Sequence, residues 1–149
     1  MLSIVFERYT APARRVLFFG RYEASQFGSS IIESEHLLLG LIREDRSTSV
    51  PFLPLEAGED IRTEIERRTS VQEKLSASID LPLSPECKRI LAYAGDEAKA
   101  LNHRYIDLGH LYLGMLREEK SVAATLLTER NVKVDTLRQE LLQRKVGNS

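Results

Sequence analysis

Cysteine is almost missing from this chain: Cys87 is the only one in 149 residues. No disulfide can form within the molecule, and a reducing, cytoplasmic setting is the simplest expectation. Long apolar runs are missing too. Stretches such as Leu37 to Ile42 are far too short to cross a bilayer. The opening Met-Leu-Ser-Ile-Val-Phe-Glu-Arg has neither the charged start nor the apolar core of a signal peptide. Nor is there an excess of one charge: 21 basic and 22 acidic side chains are interspersed, for a formal net charge of −1. Without a basic stripe nothing points to nucleic acid, and without a long charge block nothing points to a disordered tail. Alternating apolar runs, the mark of β-strands, do not occur. What is present is ordinary for a globular chain, with 42% hydrophobic and 29% charged residues. A chain of this length buries roughly 70% of its unfolded surface and needs neither metal nor disulfide as a staple.

The most informative positive feature is self-similarity. Adding 74 to positions in Thr10 to Asp45 carries Val16-Leu17 onto Ile90-Leu91 and Glu23-Ala24 onto Glu97-Ala98. The same shift carries Ile32 onto Ile106, His36-Leu37 onto His110-Leu111, Leu39-Gly40 onto Leu113-Gly114 and Arg43-Glu44 onto Arg117-Glu118. Further on the offset becomes 76, with Ile61 and Ile65 matching Leu137 and Leu141. The spacing predicts an all-α fold of two tandem copies of one helical unit, within a single domain spanning 1–149. Repeat one runs over about 6–69, a connector over about 70–83, and repeat two over about 84–146.

Each copy reads as helices. Ala13, Val16, Leu17, Gly20, Ala24 and Phe27 fall on one face, as do Cys87, Ile90, Leu91, Ala94, Ala98 and Leu101. Thr10 and Ser84 suit the N-caps, Pro85 suits a first helical position, and Gly28 and Asn102 suit left-handed stops. A second helix starts near Ser34 in one copy and near Asp107 in the other, a shift of one position. Its strings His36 to Ile42 and His110 to Leu116 are apolar almost all round, which predicts the buried centre of each unit. Gly40 and Gly114 each cost a helix roughly 1 kcal/mol against alanine, and their recurrence predicts close helix packing. In copy two, further helices are predicted over Val122 to Glu129 and Asp135 to Lys145. In copy one, Pro51 and Pro54 reduce the third helix to a distorted turn at most, and the fourth starts at Glu59 and runs to about Arg68. Ser76 to Ser78 and Pro82 mark the looser part of the connector.

The chemistry is sparse. Gly109 to Gly114 has the glycine spacing of a phosphate-binding loop, but Met115-Leu116 stands where Lys-Ser/Thr is required. His36 and His110 hold equivalent places in separate copies, which predicts a repeated structural role, hydrogen-bonded near a helix start, rather than a metal site; no cofactor or metal is expected. Cys87 lies on an apolar face and reads as a core residue. Glu35 sits in the first turn of its helix. Its carboxylate either offsets the helix dipole or pairs with a cationic ligand such as a guanidinium. Gly109 takes the matching place in copy two, so any such site is single.

Phe6-Glu-Arg-Tyr-Thr10, Ala13-Arg-Arg-Val-Leu17 and Ile32-Glu-Ser-Glu-His-Leu-Leu-Leu-Gly-Leu41 resemble the first half of a Clp N-terminal repeat domain, found at the N-terminus of Clp-type AAA+ unfoldases. Leu83-Ser-Pro85, Lys88-Arg-Ile-Leu91 and Gly109-His-Leu-Tyr-Leu-Gly114 resemble the second half, and nearly the whole chain is covered. The resemblance implies an all-α fold, a pseudo-twofold tandem repeat of two four-helix units with about eight helices, and a non-catalytic protein-binding domain that recognises substrates or adaptor proteins for an ATP-driven unfoldase and its protease. For the ClpC-like branch it implies docking of arginine-phosphorylated clients, with Glu35 on the modified arginine and Ser34 and Thr10 near it. Its partners would be unfolded or arginine-phosphorylated clients, Clp adaptors or Clp ATPase and protease subunits, with no nucleic acid and no membrane. Gly109 departs from the family string and argues against a second such site; Pro51 and Pro54 depart from the usual third helix. The ATP-hydrolysing modules are missing, so the chain is either an excised domain or a stand-alone protein, and its initial Met and its Val-Gly-Asn-Ser end favour the latter. Two alternatives stand beside this reading: a stand-alone regulator competing for Clp adaptors, and a small hydrolase with an unrecognised carboxylate pair.

Overall fold

Thr10 begins the first helix as expected: its hydroxyl accepts from the Ala13 N–H at 3.2 Å, and Pro12 lies in the first turn. The computed structural model describes residues 7–70, 72–76 and 80–144. Phe6, Ser78, Lys145 and the chain end from 146, which the sequence reading used, lie outside the described residues. Helix α1 spans Ala11–Gln26, α2 Ser34–Asp45, α3 Leu55–Arg68, α4 Pro85–Ala100, α5 Leu108–Arg117, α6 Val122–Glu129 and α7 Val134–Gln143. Gly28 and Asn102 follow α1 and α4 with φ of 75° and 61°, the left-handed stops expected there. Among the described residues there are seven helices, and the only extended pairing is two isolated bridges.

The centre is the pair α2 and α5, which touch each other and are buried nearly all round. α1 packs along α2, and α4 along α5. Gly40 and Gly114 explain how closely. A Cβ at Gly40 would lie 2.6 Å from the Val16 carbonyl oxygen and 2.7 Å from the Gly20 nitrogen. A Cβ at Gly114 would strike the corresponding atoms, the carbonyl oxygen of Ile90 and the nitrogen of Ala94.

The repeat extends to charged side chains. Arg15 pairs with Glu44 at 3.0 Å and Arg89 with Glu118 at 2.7 Å. Arg62 meets Glu23 at 2.7 Å, and Arg138 meets Glu97 at 2.8 Å. Arg43 lies 4.2 Å over the Phe19 ring, and Arg117 4.5 Å over that of Tyr93.

As the two prolines predict, 46–54 is an irregular loop, so the first unit has three helices among the described residues. Pro51 and Pro54 withhold two amides, and Asp45 takes two others, accepting from Phe52 N–H at 2.9 Å and Leu53 N–H at 3.0 Å. Two other expectations need correction. α3 starts at Leu55, not Glu59; Gly58 lowers helix propensity but lies inside the helix, packed against Ile42. The apparent one-position shift at the start of α2 also disappears, because the N-caps are Glu33 and Asp107, which are 74 apart.

Candidate functional site

The chain crosses between repeats in two equivalent places. Tyr9 bridges to Ile106, with Thr10 N–H donating to the Ile106 carbonyl (3.0 Å) and Ile106 N–H to that of Arg8 (2.8 Å). Leu83 bridges to Ile32, with Ser84 N–H donating to the Ile32 carbonyl (3.0 Å) and Ile32 N–H to that of Pro82 (2.8 Å). Every partner in the second set is the first shifted by 74. Each crossover brings the start of one repeat's first helix beside the start of the other repeat's second helix.

This geometry decides which site residues can meet. Glu35 is half-buried in the first turn of α2, at the Ser84 crossover. Burial pushes its carboxyl up from the ordinary range, and the charges of Glu33 and Glu86 push the same way, against hydrogen bonding from the Glu35 backbone and Ser34. Ser34 is fully buried, and its hydroxyl accepts from the Ala123 N–H at 3.2 Å, at the start of α6. It supports the site from within. Thr10 belongs to the other crossover, where its hydroxyl donates to Asp107 Oδ1 at 2.7 Å. Ser34 and Glu35 are therefore brought together, whereas Thr10 stands with Asp107. On the Glu35 side Thr10's counterpart is Ser84, with Glu86 two residues on. The signal for Ser84 was in the sequence, since it is Thr10 plus 74.

The counterpart of Glu35 in repeat two is closed. A Cβ on Gly109 would lie 2.5 Å from Leu141 Cδ2 and 2.9 Å from Phe52 Cζ. Phe52 comes from the irregular loop of repeat one, and its ring is covered by Arg144 at 3.7 Å. A glutamate there would have to displace both apolar side chains. A groove of about 390 Å³ remains beside it, lined by residues including Pro12, Val50 and Asp107.

His36 and His110 are hydrogen-bonded near the starts of their helices, and Cys87 is packed in the core. His36 Nδ1 accepts from the Glu33 N–H at 3.0 Å and His110 Nδ1 from the Asp107 N–H at 2.9 Å, closing a capping box on each helix. Both rings are therefore neutral with the proton on Nε2, and His110 Nε2–H donates to His103 Nδ1 at 2.8 Å. Burial lowers both pKa values to about 4, with His103 adding to the effect at His110. Cys87 is buried; its thiol donates to the Ile32 carbonyl at 3.3 Å, and burial pushes its pKa up to about 12. Among the described residues no group of three His, Cys, Asp or Glu side chains could hold a metal ion, and no helix is long and apolar enough to cross a membrane.

Comparison with known proteins agrees with this architecture. The model of the Clp repeat (R) N-terminal domain family matches residues 8–99 and again 82–147. The chain is 34% identical over 142 residues to the negative regulator of genetic competence ClpC/MecB of Bacillus subtilis, covering 94% of this chain and 17% of that protein. It is 34% identical over 143 residues to the chaperone protein ClpB of Oceanobacillus iheyensis, with the same coverage. The crystal structure of the N-terminal domain of the ClpD chaperone from Arabidopsis thaliana superposes with a TM-score of 0.69 at 27% identity, covering 93% of this chain and 95% of that one. The chain thus spans about a sixth of the length of these curated relatives. It belongs to the Clp repeat N-terminal domain family.

Proposed function

We propose that this member of the Clp repeat family is a non-catalytic protein-binding domain that recognises clients or adaptors for a Clp-type ATPase, and that Glu35 receives the arginine of arginine-phosphorylated clients. The supporting observation is an imbalance of charge at the head of α2. The buried carboxylates of Glu23, Glu44 and Glu97 each have an arginine partner. Buried Asp45 is bonded to two amides and the Tyr112 hydroxyl. Among the described residues Glu35 has no cation, and the charges of Glu33 and Glu86 act on it unfavourably. A guanidinium from outside offsets all three carboxylates and forms paired hydrogen bonds with Glu35. Ser84 replaces Thr10 in this reading, and Ser34 holds the helix start in place. With Gly109 sealed by Phe52 and Leu141, the domain carries one such site.

The test is binding of a fluorescent phosphoarginine peptide, measured by anisotropy, to the intact chain and to Glu35→Gln. The substitution keeps the shape and removes the charge. Binding should weaken about tenfold or more, the scale of one charge-assisted contact, with the melting temperature nearly unchanged. Equal affinity of the two proteins would reduce Glu35 to a helix-start charge.

A further inference from the structure

The two repeats serve as internal controls for each other. Both must bury an equivalent core, so a difference at an exposed position is not demanded by the fold. On the outer face of α1, Phe18 is 55% and Tyr22 36% exposed. Their counterparts on α4 are Ala92 and Asp96, both also exposed. Repeat one therefore presents two large aromatic side chains where repeat two shows that a small or charged residue suffices. Tyr22 leads into a groove of about 590 Å³ between α1, α2 and α3, with Phe27, Leu39 and Ile42 along its apolar lining. Gly58 borders this groove, and its counterpart by the offset of 76 is the larger Val134.

The charges around the groove are unbalanced. Arg62 is held by both carboxylate oxygens of Glu23, at 2.7 and 3.2 Å, and approaches Glu66 at 3.8 Å. Arg43, Arg46 and Lys74 also line the groove, and among the described residues none has a carboxylate partner; Arg43 is stacked on Phe19 and Tyr22. Against these three cations stand Glu59 and Glu66, because Glu23 already balances Arg62, which leaves one positive charge in excess. The opening is therefore apolar in its depth, aromatic at one edge and positive at its rim.

We propose that this groove is a second docking surface, separate from Glu35, that takes a short acidic peptide segment carrying a large apolar anchor. The anchor enters between Phe27 and Ile42, and the flanking Asp or Glu side chains meet Arg43, Arg46 and Lys74. Such a surface fits the pattern of a buried anchor with a polar rim that sets partner choice. The proposal rests on the reading of the chain as a protein-binding domain, but not on Glu35.

The experiment uses the intact chain and a fluorescein-labelled peptide with a Phe-Leu pair flanked by Asp and Glu. Two control ligands accompany it: the same peptide with Lys for every acid, and an oligothymidylate. Variants are the Arg46→Glu, Lys74→Glu pair, Tyr22→Asp, which installs the residue repeat two carries, and Glu35→Gln. The acidic peptide should bind, with amide shifts in 15N spectra confined to α1, α2, α3 and the groove-lining residues just outside them, Phe27, Arg46 and Lys74, and should weaken about tenfold in the charge-reversed pair and severalfold in Tyr22→Asp. Glu35→Gln should leave this binding unchanged while weakening the phosphoarginine peptide. No binding of the acidic peptide, equal binding of the basic peptide or the oligonucleotide, or shifts located elsewhere would overturn the proposal. Loss of phosphoarginine binding in Glu35→Gln, seen alongside any of these, would show that only the second surface fails.

Discussion

His36 and His110 accept an amide proton on Nδ1, so protonating that nitrogen sets N–H against N–H inside a buried cap. The folded rings hold their protons more weakly than the unfolded ones, with pKa values near 4 against an ordinary 6.5. Between these values the unfolded chain binds more protons, so the stability these caps supply is whole above pH 6.5 and is lost as pH falls towards about 4. Asp45 and Glu35 act with the opposite sign, because burial raises their carboxyls. Replacing both histidines by glutamine isolates the histidine contribution, since glutamine also reaches back to the cap amide but does not titrate in this range. Urea unfolding at about pH 7 and about pH 5 should show the native chain losing more stability than His36→Gln, His110→Gln, by on the order of 1–2 kcal/mol per histidine. Parallel losses in the two proteins would contradict the assignment.

Asp45 is a residue on which a whole loop depends. Its carboxylate accepts from Phe52 N–H, Leu53 N–H and the Tyr112 hydroxyl, the last at 2.8 Å. Asp45→Ala leaves these donors without their partner and should cost about 2–4 kcal/mol. Hydrogen exchange should show the amides of Phe52 and Leu53 losing protection before those of α2.

At the scale of elements, the close crossings of α1 on α2 and of α4 on α5 follow from a single glycine each. Gly40→Ala and Gly114→Ala improve intrinsic helix propensity by roughly 1 kcal/mol. The added methyl, however, meets backbone atoms of the neighbouring helix, which cannot rotate away. Each substitution should therefore destabilise by about 1–3 kcal/mol, read as a lower urea midpoint. A stabilised variant would show that the helices can move apart freely. This packing was legible in the sequence because the same helix-breaking residue recurs 74 positions on. The caps at Thr10 and Ser84 and the stops at Gly28 and Asn102 were legible because their residue types are nearly diagnostic. The start of α3 was not, since Gly58 looks like a boundary until Ile42 is seen packed on it. The cap of α2 was also obscured, because Glu33 is an uncommon capping residue and its partner, His36, is an uncommon third residue of a capping box, whereas Asp107 could be read as the cap of α5.

At the scale of the molecule, the repeat determines the fold and its exceptions determine the candidate sites. The doubling of the unit could be read from the sequence. The exchange of segments between copies could not, because periodicity describes each copy in isolation. The family resemblance implied Thr10 near Glu35, whereas the crossover places it with Asp107. The same crossovers lead to a prediction about how the chain folds. Each half supplies what the other lacks: Ser34 accepts from an amide at the start of α6, Ile32 accepts from Ser84 and Cys87, and Ile106 bridges to Tyr9. The apolar faces of α2 and α5 cover one another, so a lone half would expose a nearly all-apolar helix. Cutting the chain in the connector between Lys74 and Leu81 should yield fragments that show no cooperative urea transition alone but recover native helicity when mixed at equal concentration. The intact chain should unfold in a single transition. A sigmoidal transition from either fragment alone would show that one repeat is a self-sufficient folding unit, with the crossovers adding stability but not being required.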